Sequence, residues 1–476
     1  MSEQRVVVVG GGITGLTAAY RMHQLRPDLL ISVFEKDDLL GGKIRSSSFA
    51  GVDGVDEGAD AFLTRVPHAV ALVEELGLTG ELTSPAVSSA NVWWNGMHEI
   101  PEGLLLGVPT DLRKLARSKL ISWPGKARAA LEPMLPATGI ASDSVGRIIR
   151  KRFGKQVHER LVDPLVGSIY AADTDRFSLA GVPQILELAA NNRSLLLGAR
   201  KTRRTAPTAT GPIFATPTAG MAGLTNALAN ALRSAGATIH TGREVITIER
   251  SSELSAAPSA EPSIQSSRRG WLIDGEYADA VILASPARTT AQLLKIVAPT
   301  VATTLAKFDH AGVVIVTLAI NPQDWPDELH RRSGYLVPKP VQKWVTAVSF
   351  ASSKWAHWQR PDGACILRIS LGRDGHDVTG ESDEALLHAA ITEVGHHVGI
   401  TLQPTASRIT RWPMAFPQYR PGHAARVRQM DEELCRDAPG IFLAGASYRG
   451  IGIPACIADG KNSATTACGF LNAMRD

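Results

Sequence analysis

The stretch Arg5-Val-Val-Val-Val-Gly10-Gly-Gly-Ile-Thr-Gly15 decides the fold. Its run of valines reads as a buried strand, its glycines as a tight turn, and Ile13 to about Leu25 as a helix. Leu30-Ile-Ser-Val-Phe34 reads as a second strand, so the N-terminal tenth is a βαβ unit. In that context the GxGxxG spacing has a mechanism. Gly10 permits the turn, Gly12 lets the backbone approach a pyrophosphate, and Gly15 lets the helix sit close to the sheet. The diphosphate then meets the helix N-terminus. By itself the motif also suits a turn of purely structural purpose.

Three further features bear on that choice. Glu35 ends the second strand 20 residues after Gly15, where a carboxylate can accept hydrogen bonds from ribose hydroxyls. Gly41-Gly42-Lys43 follows, two more glycines with a cation that can meet a phosphate or a flavin edge. A nicotinamide-binding domain does not need this element. At the far end, Phe442-Leu-Ala-Gly-Ala-Ser447 leads through Gly450-Ile-Gly-Ile453 into a helix expected over Pro454 to about Asn472. The positive end of that helix can face a flavin ring.

Composition narrows the class. With 476 residues, 44% hydrophobic and 20% charged, the chain can bury more than one core. Fifty Lys and Arg against 46 Asp and Glu leave only +4, too little to argue for nucleic acid. Cys365, Cys435, Cys456 and Cys468 form no CxxC pair and are too sparse for a disulfide framework or a metal site. No metal is expected. The first strand starts almost at Met1, with no signal-like segment before it, and no apolar run reaches the roughly 18 residues of a membrane span. A soluble, cytoplasmic protein is the expectation.

Helical periods with several prolines occupy about Leu104 to Gly198, and strand patterns return over Ala237 to Arg250, Gly270 to Ile273 and Ala278 to Ala284. Ser251 to Arg269, rich in Ser, Ala and Pro, reads as a mobile hairpin loop. Gly312 to Ile320, Gly334 to Val337, Val345 to Phe350 and Cys365 to Leu371 suggest a second, mixed sheet. The expected class is α/β, α+β overall. It combines a Rossmann-like dinucleotide domain (1–90, 210–300 and 430–476), a helical subdomain (91–209) and an inserted mixed-sheet substrate domain (301–429).

Taken together, these motifs resemble the FAD superfamily that contains amine oxidases, phytoene desaturases and protoporphyrinogen oxidases. Leu161-Val-Asp-Pro-Leu-Val-Gly-Ser-Ile-Tyr-Ala-Ala-Asp173 is similar to a segment of the bacterial porphyrinogen oxidases. Gly58-Ala-Asp-Ala-Phe62, Ser352-Ser-Lys-Trp355, Arg411-Trp412 with Pro417-Gln-Tyr419, and Ala444-Gly-Ala-Ser-Tyr448 agree. The resemblance runs from about residue 5 to 470. It implies non-covalent FAD held by Gly10, Gly11, Gly12, Ile13, Thr14, Gly15, Glu35, Lys36, Gly42, Lys43, Gly58, Ala59, Asp60 and Ala61. From later in the chain it adds Val245, whose backbone would meet adenine, and Trp412, Gly445, Ala446, Ile451, Gly452 and Ile453.

The implied reaction takes coproporphyrinogen III to coproporphyrin III in three two-electron oxidations, with dioxygen reduced to hydrogen peroxide. No protein residue acts as a strong base. Protoporphyrinogen IX is the alternative substrate. More distant readings are an amine oxidase, a carotenoid desaturase, or a flavin-binding partner protein without turnover. Hand-over of product to a ferrochelatase is a further implied partnership.

Substrate contacts are less defined. Ala90-Asn-Val-Trp-Trp94 carries no arginine where the membrane-associated relatives anchor a propionate. The resemblance instead implies Arg65, at a place where the soluble Gram-positive enzymes are also basic, as the candidate anchor or else an exposed loop arginine, and Trp412 as a candidate pocket wall or plain core packing. Arg193, Arg200, Lys201, Arg203 and Arg204 can add positive charge or form a solvated loop. Leu112 to Leu120 mixes cationic and apolar positions, suiting at most peripheral membrane contact or an ordinary solvated helix face. His396-His397 lacks metal-ligand spacing, and His423 reads as structural.

Overall fold

The computed structural model describes residues 3–137, 143–205, 211–251 and 270–475. Val6 to Val9 form the middle of a five-stranded, all-parallel sheet. Its order is Thr238–His240, Leu30–Phe34, Arg5–Val9, Ala280–Leu283, Ile441–Leu443. Both faces are covered, which is why the central strands read as unbroken apolar runs rather than alternating ones. Helices Ile13–Leu25, Ala222–Ser234 and Ile453–Ala473 pack one face around Val6, Val8 and Ile282. Val7, Val9, Val281 and Leu283 face a second core with Leu305, Val427 and Leu434.

The C-terminal helix crosses the N-terminal one at close range because Gly460 has no side chain. A Cβ there would stand 2.5 Å from the Thr14 carbonyl oxygen. The two ends of the chain therefore meet over one sheet, and the glycine-rich turns after Val9 and Leu443 share its C-terminal edge, where ligands of such sheets bind.

A seven-stranded sheet forms a second layer, in the order Pro404–Pro417, His310–Ile320, Cys365–Leu371, Val345–Phe350, Gly334–Leu336, Ala90–Trp93, Met97–Glu99. The four strands expected between residues 312 and 371 are present. Pro404–Pro417 pairs on one side only, which is how it accommodates prolines. Ala90–Trp93 joins the sheet parallel to Gly334–Leu336, although 244 residues separate Gly334 from its counterpart Ala90.

The helical region begins at Leu112 rather than about Leu104, since Leu104–Leu105 and Val108–Pro109 form a small hairpin. Its helices enclose Val145, Ile148, Phe153, Leu161 and Phe177. The strand expected across Ala237 to Arg250 is two strands, Thr238–His240 in the parallel sheet and Ile248–Arg250 in an antiparallel hairpin with Trp271–Ile273. The backbone breaks between them because Arg243 N–H turns in to the Glu35 carbonyl. Most of the Ser251 to Arg269 divider lies outside the described residues.

Candidate functional site

The turn after the first strand is built to approach something other than protein. A Cβ on Gly10 would press on the Ala284 carbonyl at 3.0 Å, and one on Gly15 would lie 1.9 Å from the Gly10 oxygen, so these two glycines serve the packing. At Gly12 the nearest atom to a Cβ is 3.9 Å away, at Gly445 3.8 Å, and at Gly452 3.9 Å. These glycines keep space open that the protein leaves unfilled. Helix Ile13–Leu25 starts at Gly12 and helix Ile453–Ala473 at Gly452, neither with a side-chain cap or an acidic residue in its first turn. Their free N–H groups and positive dipole ends suit a diphosphate and an electron-accepting ring. Ile13 and Thr14 are buried in the first of these turns.

Glu35 is buried at the end of its strand. One carboxylate oxygen accepts the Gly11 N–H at 2.8 Å and the other accepts the Asp37 N–H at 3.0 Å. Each oxygen keeps a lone pair for a hydroxyl ligand. Val245 lies beyond Arg243 on the segment folded against Glu35, packed in the core that holds Val7, Val9 and Phe34. Lys36 extends to the surface, where it pairs with Asp37 at 2.8 Å.

Lys43 is exposed on the glycine-rich turn, with protein crowded around its amine, and donates to the Ala415 carbonyl. Loss of bulk water lowers its pKa to about 8. A Cβ on Gly58 would stand 2.4 Å from the Lys43 carbonyl and 3.4 Å from the Trp412 ring. Trp412 fixes this loop by donating to the Glu57 carbonyl at 2.9 Å. Lys43, Gly58 and Trp412, far apart in sequence, thus form one wall.

Within that loop Ala59 is exposed and Ala61 packs on the core of Val55 and Trp355. The Asp60 side chain accepts from Lys354 Nζ at 2.9 Å and Trp355 Nε1 at 3.1 Å, with Arg368 at 3.3 Å. Burial alone would raise its pKa, but Lys354 and Arg368 outweigh burial and hold the carboxyl well below the usual range. This explains the Ser352-Ser-Lys-Trp355 motif, whose last two side chains hold Asp60 and with it the loop.

Ala171, Ala311, Val313 and Ala415, with Trp412 and Phe416 against them, form a small apolar cluster next to this wall. Beyond it lies a cavity of about 70 Å³ between Pro164, Gly167, Ser168 and Ala171 on one side and Ile315, Thr346 and Arg373 on the other. The Leu161 to Asp173 segment is therefore one wall of a cavity that adjoins the cofactor cradle.

The segment is held by a buried ion pair that sequence reading missed. Arg373 meets Asp163 at 3.1 Å and donates to the Ala172 carbonyl. Asp163 also accepts from Thr174 at 2.6 Å, and Thr174 touches His158 at 2.9 Å. Burial opposes the Asp163 charge, but Arg373 and these hydrogen bonds prevail and keep its pKa below normal. Asp163 stood within the quoted segment, but nothing in the sequence pairs it with a residue 210 positions away.

Arg65 is exposed on the loop after Phe62–Leu63, its guanidinium 3.5 Å from the Gly211 carbonyl. Arg193, Arg200, Lys201, Arg203 and Arg204 are exposed at the end of the helical region, away from the described cavity lining. His423 is structural, donating to the Tyr448 carbonyl at 3.0 Å. Among the described residues no group of His, Cys, Asp or Glu is arranged to hold a metal, and no helix is long and apolar enough to cross a membrane.

The flavin containing amine oxidoreductase family model matches residues 13–468. Coproporphyrinogen III oxidase of Bacillus subtilis is 31% identical over 98% of this chain and 99% of its own length. That of Mycobacterium bovis is 32% identical over 100% and 99%. Protoporphyrinogen oxidase 2 of Arabidopsis thaliana is 25% identical over 99% and 95%. A solved structure from Exiguobacterium sp. 255-15, described as a protoporphyrinogen oxidase, superposes with a TM-score of 0.84 at 30% identity over 99% and 100%. Cyclohexylamine oxidase from Brevibacterium oxydans, at 17% identity and a TM-score of 0.66, shares the fold. The expected cofactor, FAD, fits the open glycine cradle and its two uncapped helix ends. The chain belongs to the flavin-containing amine oxidoreductase family and, within it, to the coproporphyrinogen III oxidases.

Proposed function

We propose that this protein oxidises coproporphyrinogen III to coproporphyrin III in haem biosynthesis. The observation that carries the reading is the Leu161 to Asp173 segment, whose Ala171 packs with Trp412 and Phe416 beside the cofactor cradle; the macrocycle would lie against this apolar cluster, since the cavity of about 70 Å³ behind it is too small for a tetrapyrrole. When bound, FAD would supply two-electron oxidation with dioxygen as the final acceptor; three such oxidations would complete the porphyrin, with three hydrogen peroxide molecules released. The protein's share is placement. Trp412 and Phe416 offer flat apolar surface, and the Asp163–Arg373 pair holds the segment against the sheet. Lys43 and the two helix ends supply positive potential toward the cofactor's phosphates and ring. No side chain is required as a strong base, because porphyrinogen methylene bridges are electron-rich.

The division into a cofactor part (1–90, 210–300, 430–476), a helical part (91–209) and a sheet part (301–429) belongs to the same proposal, with the cavity at the meeting of the last two. So do Arg65 as a propionate anchor, a cytoplasmic location, and release of product to a ferrochelatase. Protoporphyrinogen IX is the second reading, favoured by the description of the Exiguobacterium structure. Porphyrin fluorescence from purified holoenzyme, given each porphyrinogen in turn, separates them. Faster formation of coproporphyrin supports the proposal. Equal or faster formation of protoporphyrin rejects it, and no porphyrin from either rejects the reaction class.

A further inference from the structure

Tyr419 lines neither the described cavity nor the glycine cradle, yet it touches the elements behind both. Its hydroxyl donates to the Ala446 carbonyl at 2.6 Å and accepts the Gly450 N–H at 2.8 Å. One oxygen atom thus clasps the two ends of the turn that delivers the chain into helix Ile453–Ala473. Gly450 has φ +141°, and a Cβ on it would stand 2.5 Å from that of Ala455, so the turn has little freedom to re-form around a missing partner. His423 braces the same turn through Tyr448, with its ring stacked on Tyr419 at 3.9 Å and 11°.

On its other side Tyr419 reaches the cavity wall. Its ring is parallel to Phe177 at 6.0 Å and 7°, and Phe177 stacks on Tyr170 at 5.0 Å and 21°. Tyr170 stands between the cavity residues Ser168 and Ala171. The backbone follows the same line: Ser178 N–H donates to the Tyr419 carbonyl at 2.6 Å, and the Gln418 amide donates to the Tyr170 carbonyl at 3.1 Å. A close-packed column of near-parallel rings passes on a displacement at one end, because the interior has no slack to absorb it.

We propose that Tyr419 is a positioning residue that sets the flavin-facing turn and, through Phe177 and Tyr170, couples that turn to porphyrin bound against the Leu161 to Asp173 segment. Its coupling arm rests on the function proposed above; its positioning arm rests on FAD alone. A porphyrin pressing on the segment shifts the column, the column shifts the Ala446–Gly450 clasp, and the helix end that faces the flavin moves with it. The flavin's midpoint potential then depends on whether porphyrin is bound against the segment.

The test uses full-length holoenzyme and coproporphyrin III as the probe, with spectroelectrochemical potentials, FAD titration, and quenching of porphyrin fluorescence to register binding. In the wild type, coproporphyrin III shifts the flavin potential. Tyr419→Phe binds FAD at least tenfold more weakly and has a more negative potential without porphyrin. Phe177→Leu keeps the wild-type potential when free and loses at least half of the porphyrin-induced shift. Wild-type FAD affinity and potential in Tyr419→Phe overturn the positioning role. Porphyrin binding without a shift in the wild type, or a full shift in Phe177→Leu, overturns the coupling. Absence of porphyrin binding rejects the proposed function and with it the coupling, while the Tyr419→Phe titration still decides positioning. If Tyr419→Phe does not fold, Tyr419→Trp, which keeps the stack but not the clasp, gives the same readings.

Discussion

Gly12 and Gly15 lie three residues apart and are glycine for different reasons, which mutation separates. A methyl group at Gly12 meets no protein atom within 3.9 Å, and its φ of −75° suits any residue. Gly12→Ala is expected to leave apoprotein stability within about 0.5 kcal/mol while weakening FAD by roughly a hundredfold or more, about 2.7 kcal/mol. Gly15→Ala places a methyl 1.9 Å from the Gly10 oxygen, so it is expected to lower the melting temperature of the apoprotein itself. Scanning calorimetry with and without FAD distinguishes the two.

Lys43 makes a pH prediction. Desolvation by the surrounding protein lowers its pKa to about 8, so above that pH the free protein carries a neutral amine, whereas an anionic diphosphate favours the charged form. FAD binding must then take up a proton. Affinity is expected to be constant below pH 8 and to weaken as pH rises above it, by up to about tenfold per unit. Calorimetric titration of apoprotein at pH 7 and at pH 9 checks this, and Lys43→Met should flatten the dependence.

Among elements, the Leu161 to Asp173 segment depends most on a partner outside itself. Asp163→Asn leaves the Arg373 guanidinium buried without its counter-charge, an expected loss of about 3–5 kcal/mol in denaturant unfolding of the holoenzyme. Asp163→Asn with Arg373→Met should recover most of it. The folded-state pKa of Asp163 lies below its ordinary value, so the pair's contribution is present above the unfolded carboxylate range and fades as pH falls through the folded pKa. The same element shows what a sequence displays. The βαβ unit was legible because its strand, turn and helix are adjacent, and strands 310–371 because their apolar runs lie in a buried sheet. Pro404–Pro417 was not read as a strand: as a sheet edge it tolerates and exposes Pro413, which masks the pattern. The cofactor cradle could be read from its glycines. The Asp163–Arg373 pair and the Tyr419 clasp could not, because each joins residues whose meeting only the tertiary fold determines.

For the molecule as a whole, charge is distributed unevenly. The chain carries +4, yet residues 112–156 hold eleven Lys and Arg against only Glu132 and Asp143. A substrate with four carboxylates is drawn to such a region more strongly than one with two, and salt screens the difference. Raising ionic strength from about 0.05 to about 0.5 M is expected to lower kcat/KM several-fold for coproporphyrinogen III and less for protoporphyrinogen IX. The most direct test of the central claim is an anaerobic single turnover that follows absorption of the bound flavin while each porphyrinogen is mixed in. The account expects coproporphyrinogen III to bleach the flavin and yield an oxidised tetrapyrrole, faster than protoporphyrinogen IX. A flavin that stays oxidised with both, or bleaches faster with protoporphyrinogen IX, would contradict it.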